Sequence, residues 1–327
     1  MDKGKRATRR RTVQLFFAAL SNSYVTGFAA GRLYQGNLKA ICSPGLNCYS
    51  CPGALLSCPI GSLQAVLGSR AFTLSGYVFG MMLFFGATMG RMVCGFLCPF
   101  GLVQEALYKI PFVKKIKTFK GDKQCRYLKY VLLVLLVILL PVTLSTKEDV
   151  SPYFCKYVCP AGSLEAGIPH VLHDRLGPDD TAIGLPAGGF QPLEGLNVAA
   201  LRKNVLPTNN RLRIGFLFWW KIALLALVVL ASIVLYRPFC RYLCPLGAFY
   251  GAMNPIALYR LRLNKEACIR CGACKRACGM CIDPTVRLND PECVRCGDCV
   301  RVCPTAALSM GFADQKDTKR VRKGGAV

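Results

Sequence analysis

The chain has 327 residues and carries 42 Lys and Arg against 17 Asp and Glu, a formal net charge of +25. Apolar residues make up 53% of it and charged residues only 18%, against about 25% charged in an ordinary soluble domain. That balance excludes a disordered nucleic-acid tail and argues against a single soluble domain. The bunching of the apolar residues points instead to a membrane protein with its basic residues on one side. Residues 1–12 hold Lys3, Lys5, Arg6, Arg9, Arg10 and Arg11 and read as a basic cytoplasmic N-terminus, with no convincing small-residue cleavage site after the apolar run that follows. That run, 13–34, and a second at 71–93 are rich in small residues, which suits close helix packing in lipid. Two further runs, 127–145 and 214–236, carry one charge each, Lys129 and Lys221. About 20 apolar residues span a hydrocarbon core, so four transmembrane helices are expected. Lys221, Arg32 and Arg91 are expected to snorkel to the interfaces.

Charge sets the orientation. The loop 99–125 contains Lys109, Lys114, Lys115, Lys117, Lys120 and Lys123, whereas loop 37–70 holds only Lys39 and Arg70. The positive-inside rule then places both termini in the cytoplasm of a multi-pass protein of the cell membrane, with the basic face against anionic lipid and no nucleic-acid partner. The expected divisions are a first membrane half at 13–125, a second at 126–260 with an outer loop at 147–212, a tail domain at 261–313 and a basic tail at 314–327. Segment 170–210 reads as irregular chain and a docking surface. His170 and His173 read as a solvated His-x-x-His.

Twenty cysteines give the chain its chemistry. Cys-Pro-x-Gly occurs at Cys58, Cys98, Cys159 and Cys244, and Cys94, Cys155 and Cys240 each lie four residues before one of these. The first copy has Cys48 and Cys51 upstream instead. The chain therefore reads as two pseudo-repeats, each helix, Cys motif, helix, Cys motif, and duplication of this kind brings equivalent sites together. Cys-x3-Cys sets both sulfurs on one helical face. The Pro starts a new helix, and the Gly lets backbone approach closely. Cys94, Cys98, Cys240 and Cys244 are expected to hold one [4Fe-4S] cluster at the cytoplasmic face. Cys51, Cys58, Cys155 and Cys159 would hold another nearer the opposite face, with Cys48 as alternate ligand. The apolar segment 53–67 is too short to cross and is expected to dip in as a re-entrant helix. For Cys42 and Cys48, a disulfide or a spare thiol competes with ligation.

The tail carries two runs, Cys268-x2-Cys271-x2-Cys274-x3-Cys278 and Cys293-x2-Cys296-x2-Cys299-x3-Cys303-Pro304. In such runs the fourth Cys ligates the other cluster. One [4Fe-4S] is thus expected on Cys268, Cys271, Cys274 and Cys303, and a second on Cys293, Cys296, Cys299 and Cys278. Cys278 is followed by Gly279 rather than Pro, and Cys281 stands three residues on as the competing ligand. Two complete runs disfavour zinc, which takes its ligands from two pairs.

The stretches GRMVCGFLCPFG (90–101), RPFCRYLCPLGA (237–248) and the tail 268–303 resemble those of membrane-bound ferredoxin-like proteins of the quinol-dehydrogenase type, a polyferredoxin family that includes the membrane subunit of periplasmic nitrate reductase. The resemblance implies an α-helical membrane protein with a C-terminal α+β ferredoxin-like two-cluster domain. It also implies electron transfer between a cytoplasmic donor or acceptor and the quinone pool or an outer-side redox partner. The partners it implies are other redox subunits, or a soluble ferredoxin or flavoprotein. No acid–base constellation or dinucleotide fingerprint accompanies the cysteines, so the chain reads as a subunit of an oxidoreductase complex. The alternative is an iron–sulfur redox sensor, which would need only one labile cluster and an output surface.

Overall fold

The computed structural model describes residues 3–30, 32–69, 72–111, 114–144, 151–176 and 215–312. The basic tail from 314 and most of the expected outer loop lie outside these residues.

Two described helices are long and apolar enough to cross a membrane, Asp122–Leu144 and Phe216–Val234, and most of each apolar stretch is left uncovered by protein. Uncovered leucine and valine are what lipid, not water, accommodates. The first of these helices widens to a π-helical stretch over Leu133–Leu139, just before Pro141. Proline cannot donate to the preceding turn, and the local widening is a usual response.

The other two expected spans differ from the reading above. Segment 13–34 is not one helix: Lys3–Ser21 ends, a turn follows, and Thr26–Ala30 is a separate short helix. The break has a tertiary cause. Leu55 donates its N–H to the Ser21 carbonyl at 3.0 Å and Tyr24 donates to the Gly53 carbonyl at 3.1 Å, so a distant loop takes the groups that a continuing helix would use. In the other segment the helix Phe72–Met89 stops at Gly90, whose φ of +56° lies in the left-handed region. Its described apolar part, Gly76–Met89, is shorter than a span. The expected re-entrant segment, 53–67, overlaps the helix Pro59–Ser69, most of which is buried in protein. The loop expected at 147–212 is not irregular at its start: helices cover Tyr153–Tyr157 and 160–176.

The chain forms two compact units that cut across the sequence halves. One comprises Met1–Ala18, Phe79–Leu133 and Ala231–Val327; the other comprises Ala19–Val78 and Val134–Leu230. In the first unit the tail closes with an antiparallel pair, β1 (Tyr259–Leu263) and β2 (Leu308–Phe312), in register Leu261 to Met310. Short helices at Ala273–Ala277 and Asp298–Val302 carry the third cysteine of each run, Cys274 and Cys299. This is the α+β ferredoxin-type domain. Each unit receives one Cys-Pro motif from each sequence half.

Candidate iron–sulfur sites

In the first unit, Cys94 lies in the helix Met92–Phe96 and Cys98 caps the helix Pro99–Tyr108. Cys240 lies in Pro238–Tyr242 and Cys244 caps Pro245–Met253. The proline leaves no stranded donor at the first helical position. Two residues on, Gly101 N–H donates to Cys98 Sγ at 3.4 Å and Gly247 N–H to Cys244 Sγ at 3.3 Å. All four thiols are buried. Burial pushes Cys244 well above the ordinary thiol range, and Cys240, Cys94 and Cys98 add to the rise. Cys98 is raised by the same desolvation and by Cys240 and Cys94. The four thiols are thus buried on facing short helices of one unit, near enough to disfavour one another's ionisation.

A glutamine braces them. Gln104 Nε2 donates to Cys240 Sγ at 3.3 Å while its Oε1 accepts the Phe239 N–H at 3.1 Å. Two buried arginines cross between the motifs. Arg91 Nη2 donates to the Cys240 carbonyl at 2.9 Å, and Arg237 Nη1 donates to the Cys94 carbonyl at 2.5 Å. Arg237 is balanced by Glu105, which also takes both terminal nitrogens of Arg10. Burial alone would raise the Glu105 carboxyl, but Arg237 and Arg10 hold it below its ordinary value. Arg91 is thus fully buried and bound, not snorkelling as expected.

The second unit repeats the plan. Cys48, Cys58, Cys155 and Cys159 line one cavity of about 430 Å³. Gln64 Nε2 donates to Cys155 Sγ at 3.4 Å, and its Oε1 accepts the Phe154 N–H at 2.9 Å, the same two bonds made by Gln104. Glu165 accepts the Cys48 N–H at 2.7 Å, and burial lifts its carboxyl to about 7. Burial pushes Cys155 well up, with Cys159, Cys58 and Cys48 adding to the rise. Of the two upstream cysteines, Cys48, the expected alternate, lines this cavity, while Cys51, the expected member of the set, is buried and not among its lining residues. The physical reason is the Glu165 bond, which holds the Cys48 backbone against the other motif. Lys221 and His170 also line the cavity. His170 is buried, not solvated, with Nε2 3.0 Å from the Ser50 carbonyl oxygen. Cys42 is buried elsewhere, bridged to Ser57. No disulfide joins any of the twenty cysteines, all of which lie among the described residues.

In the tail, Cys278, Cys293, Cys296 and Cys299 line one pocket. Cys281 does not; it turns away at φ +57° and its Sγ donates to the Lys117 carbonyl at 3.1 Å. Cys303 packs with Cys274 around Leu261 and Leu308, with Cys299 on the same cluster. Cys268 is half-buried and Cys271 exposed. Among the described residues no three thiol, imidazole or carboxylate ligands close around a single ion. The donor set of each site, four cysteines with N–H groups aimed at sulfur, fits a [4Fe-4S] group. Burial disfavours the bare thiolates, and bound iron would reverse that preference.

Sequence reasoning missed Gln64, Gln104, Glu165 and the buried arginines. The signal was present: Cys-Pro-x-Gly-x-x-Gln occurs at 58–64 and at 98–104, with Glu165 at the same place in the third copy and Tyr250 in the fourth.

Paired Cys-Pro sites in a helical membrane protein, joined to a two-run ferredoxin tail, define an iron–sulfur protein of the polyferredoxin kind. Comparison with known proteins agrees. One 4Fe-4S binding domain family matches three times, at 72–119, 129–177 and 216–265, each copy holding one Cys-x3-Cys-Pro. A second 4Fe-4S binding domain family matches 287–309. The chain is similar to YccM of Escherichia coli, named as an electron transport protein, at 39% identity over 16% of this chain and 14% of the relative. It is similar to the regulatory protein NosR of Pseudomonas aeruginosa at 29% identity, over 38% of this chain and 20% of the relative. It is similar to the methylamine utilization ferredoxin-type protein MauN of Paracoccus denitrificans at 32% identity, over 38% of this chain and 47% of the relative. The chain thus spans less than half the length of each of these relatives. No solved structure matches it. The chain is an iron–sulfur protein built of 4Fe-4S binding domains.

Proposed function

We propose that the chain is a membrane-bound electron-transfer protein with four [4Fe-4S] sites. Two lie in the tail, one on Cys94, Cys98, Cys240 and Cys244, and one on Cys48, Cys58, Cys155 and Cys159. The observation that carries the reading is the duplicated brace: two four-thiol sets, the first buried and the second buried or half-buried, each with a glutamine that bonds one sulfur and the backbone N–H just before that cysteine. Buried free thiols that merely fill space need no such polar partner. When bound, such groups supply one-electron transfer. The protein buries the sulfurs of the Cys94 set, aims N–H groups at them, and places the cationic Arg91 and Arg237 beside them, where they offset negative charge.

A quinone of the membrane pool is one redox partner in this reading, while the cavity lined by Cys48, Cys58, Cys155 and Cys159 is the place of the cluster itself. The basic residues near the N-terminus and in 99–125 support placing those segments in the cytoplasm.

The test is iron and acid-labile sulfide counting with EPR on the purified full chain. Four sites give about sixteen irons per chain, and Cys94→Ser with Cys240→Ser removes about four. A count of about eight, unchanged in that variant, would overturn the sites outside the tail.

A further inference from the structure

The two tail sites are not equivalent in their surroundings. The loop that carries Cys293 and Cys296 is fastened to the loop that carries Cys94 by buried polar contacts. Arg91 Nη1 donates to the Pro291 carbonyl and to Glu292 Oε2, both at 2.9 Å. Asn254 donates to the carbonyls of Asp290 at 3.0 Å and Cys293 at 2.7 Å, and accepts the Arg91 N–H at 2.9 Å. Arg295 donates to the carbonyls of Met89 at 2.8 Å and Asn254 at 2.7 Å. Between the loops, a Cβ placed on Gly95 would meet the Val294 carbonyl oxygen at 2.5 Å. Gly95 adjoins Cys94 and Val294 adjoins Cys293, so the backbones beside two cysteines of different sites touch with no side chain between them. Close approach of this kind is what glycine permits.

The other tail run faces outward. Cys271 is exposed, Ile269 is 64% exposed beside it, and Lys265, Arg270, Lys275 and Arg276 are exposed on the same stretch, with Glu266 the one acid across 264–277.

We infer that the tail is polar. The set Cys278, Cys293, Cys296 and Cys299 is the inner bridge to the Cys94 set, across the Gly95–Val294 contact. The set Cys268, Cys271, Cys274 and Cys303 is the outer port, where an acidic one-electron carrier protein docks. One electron lost by the donor is gained by the acceptor at each contact, and the carrier supplies or takes it. Charge complementarity selects the acidic carrier and steers its approach. This assignment rests on the four-site reading above.

EPR of the fully reduced, iron-loaded chain in detergent tests the bridge through the magnetic broadening that neighbouring clusters impose on each other. The broadening of the signal assigned to the Cys94 set should survive Cys271→Ala and be lost in Cys296→Ala. The reverse pattern overturns the inference. Gly95→Ala provides a second arm: with iron content unchanged, the broadening should weaken, and undiminished broadening counts against the bridge. A preparation whose iron accounts for the tail alone overturns the underlying reading first, and is recognised by the count before any broadening is sought. For the port, Lys275→Glu with Arg276→Glu should slow reduction by a reduced acidic [2Fe-2S] ferredoxin while leaving reduction by a small neutral reductant unchanged. Equal rates with the ferredoxin overturn the port.

Discussion

Gln104 shows how one side chain serves both packing and redox chemistry. Its amide fills two roles at once, donating to Cys240 Sγ and accepting the Phe239 N–H, in a position where it is almost fully buried. Replacing it with leucine keeps the volume but strands a backbone donor, at a cost of about 1–3 kcal/mol. It also removes a hydrogen bond to a ligand sulfur, and such bonds help set the potential of a cluster. An N–H aimed at sulfur stabilises the reduced, more negative state, so Gln104→Leu should move that site to a more negative potential. The expected result in an EPR-monitored redox titration is a shift confined to the Cys94 set, while Gln64→Leu shifts only the Cys155 set. If both variants leave every midpoint where it was, the glutamines are packing residues and nothing more. Their role was hidden in the sequence because a glutamine six residues after a cysteine has no meaning until the facing motif is in place.

At the scale of elements, legibility depended on whether local or distant groups decide an end. Asp122–Leu144 and Phe216–Val234 were readable because each apolar run is long, nearly uncharged and sufficient by itself. The run at 13–34 was misread because its break is imposed from elsewhere, through Leu55 and Gly53. The orientation of Phe216–Val234 makes a specific expectation possible. Leu227 is 61% exposed, whereas Leu225 is buried, so Leu227 presents its side chain to lipid. An arginine near the middle of a span costs about 2.5–3.5 kcal/mol to insert. Leu227→Arg should therefore lower the fraction of protein that resists an alkaline carbonate wash, while Leu227→Ala should behave as the parent does. Equal retention of the arginine variant would show that this face is covered by protein rather than lipid.

At the scale of the whole molecule, duplication matters more than the order of the chain. Each compact unit draws one Cys motif from each half, so neither half can complete a four-thiol set alone. The spacing of Cys-x3-Cys-Pro points to this pairing, although the two cysteines of a motif do not share one helical turn: the first lies in a short helix and the second is the extended cap of the next. The first motif breaks the pattern, because ten residues separate Cys48 from Cys58 and Cys51 stands between them. Spacing could not choose between these two cysteines. In the fold, Glu165 accepts the Cys48 N–H, and Cys48 lines the cavity with Cys58, Cys155 and Cys159, which is why the proposal places Cys48 in that set. Cys51 is buried and Cys48 only half-buried, so burial by itself does not point to Cys48, and chemistry must decide. Cys48→Ala should lose about four irons per chain and the EPR signal of that set, because three thiols remain where four are required. Cys51→Ala should keep the full iron complement and alter at most stability. The opposite outcome, with iron lost on replacing Cys51 and retained on replacing Cys48, would mean that the loop 48–58 rearranges when iron binds and that the glutamate contact is not what fixes the fourth ligand.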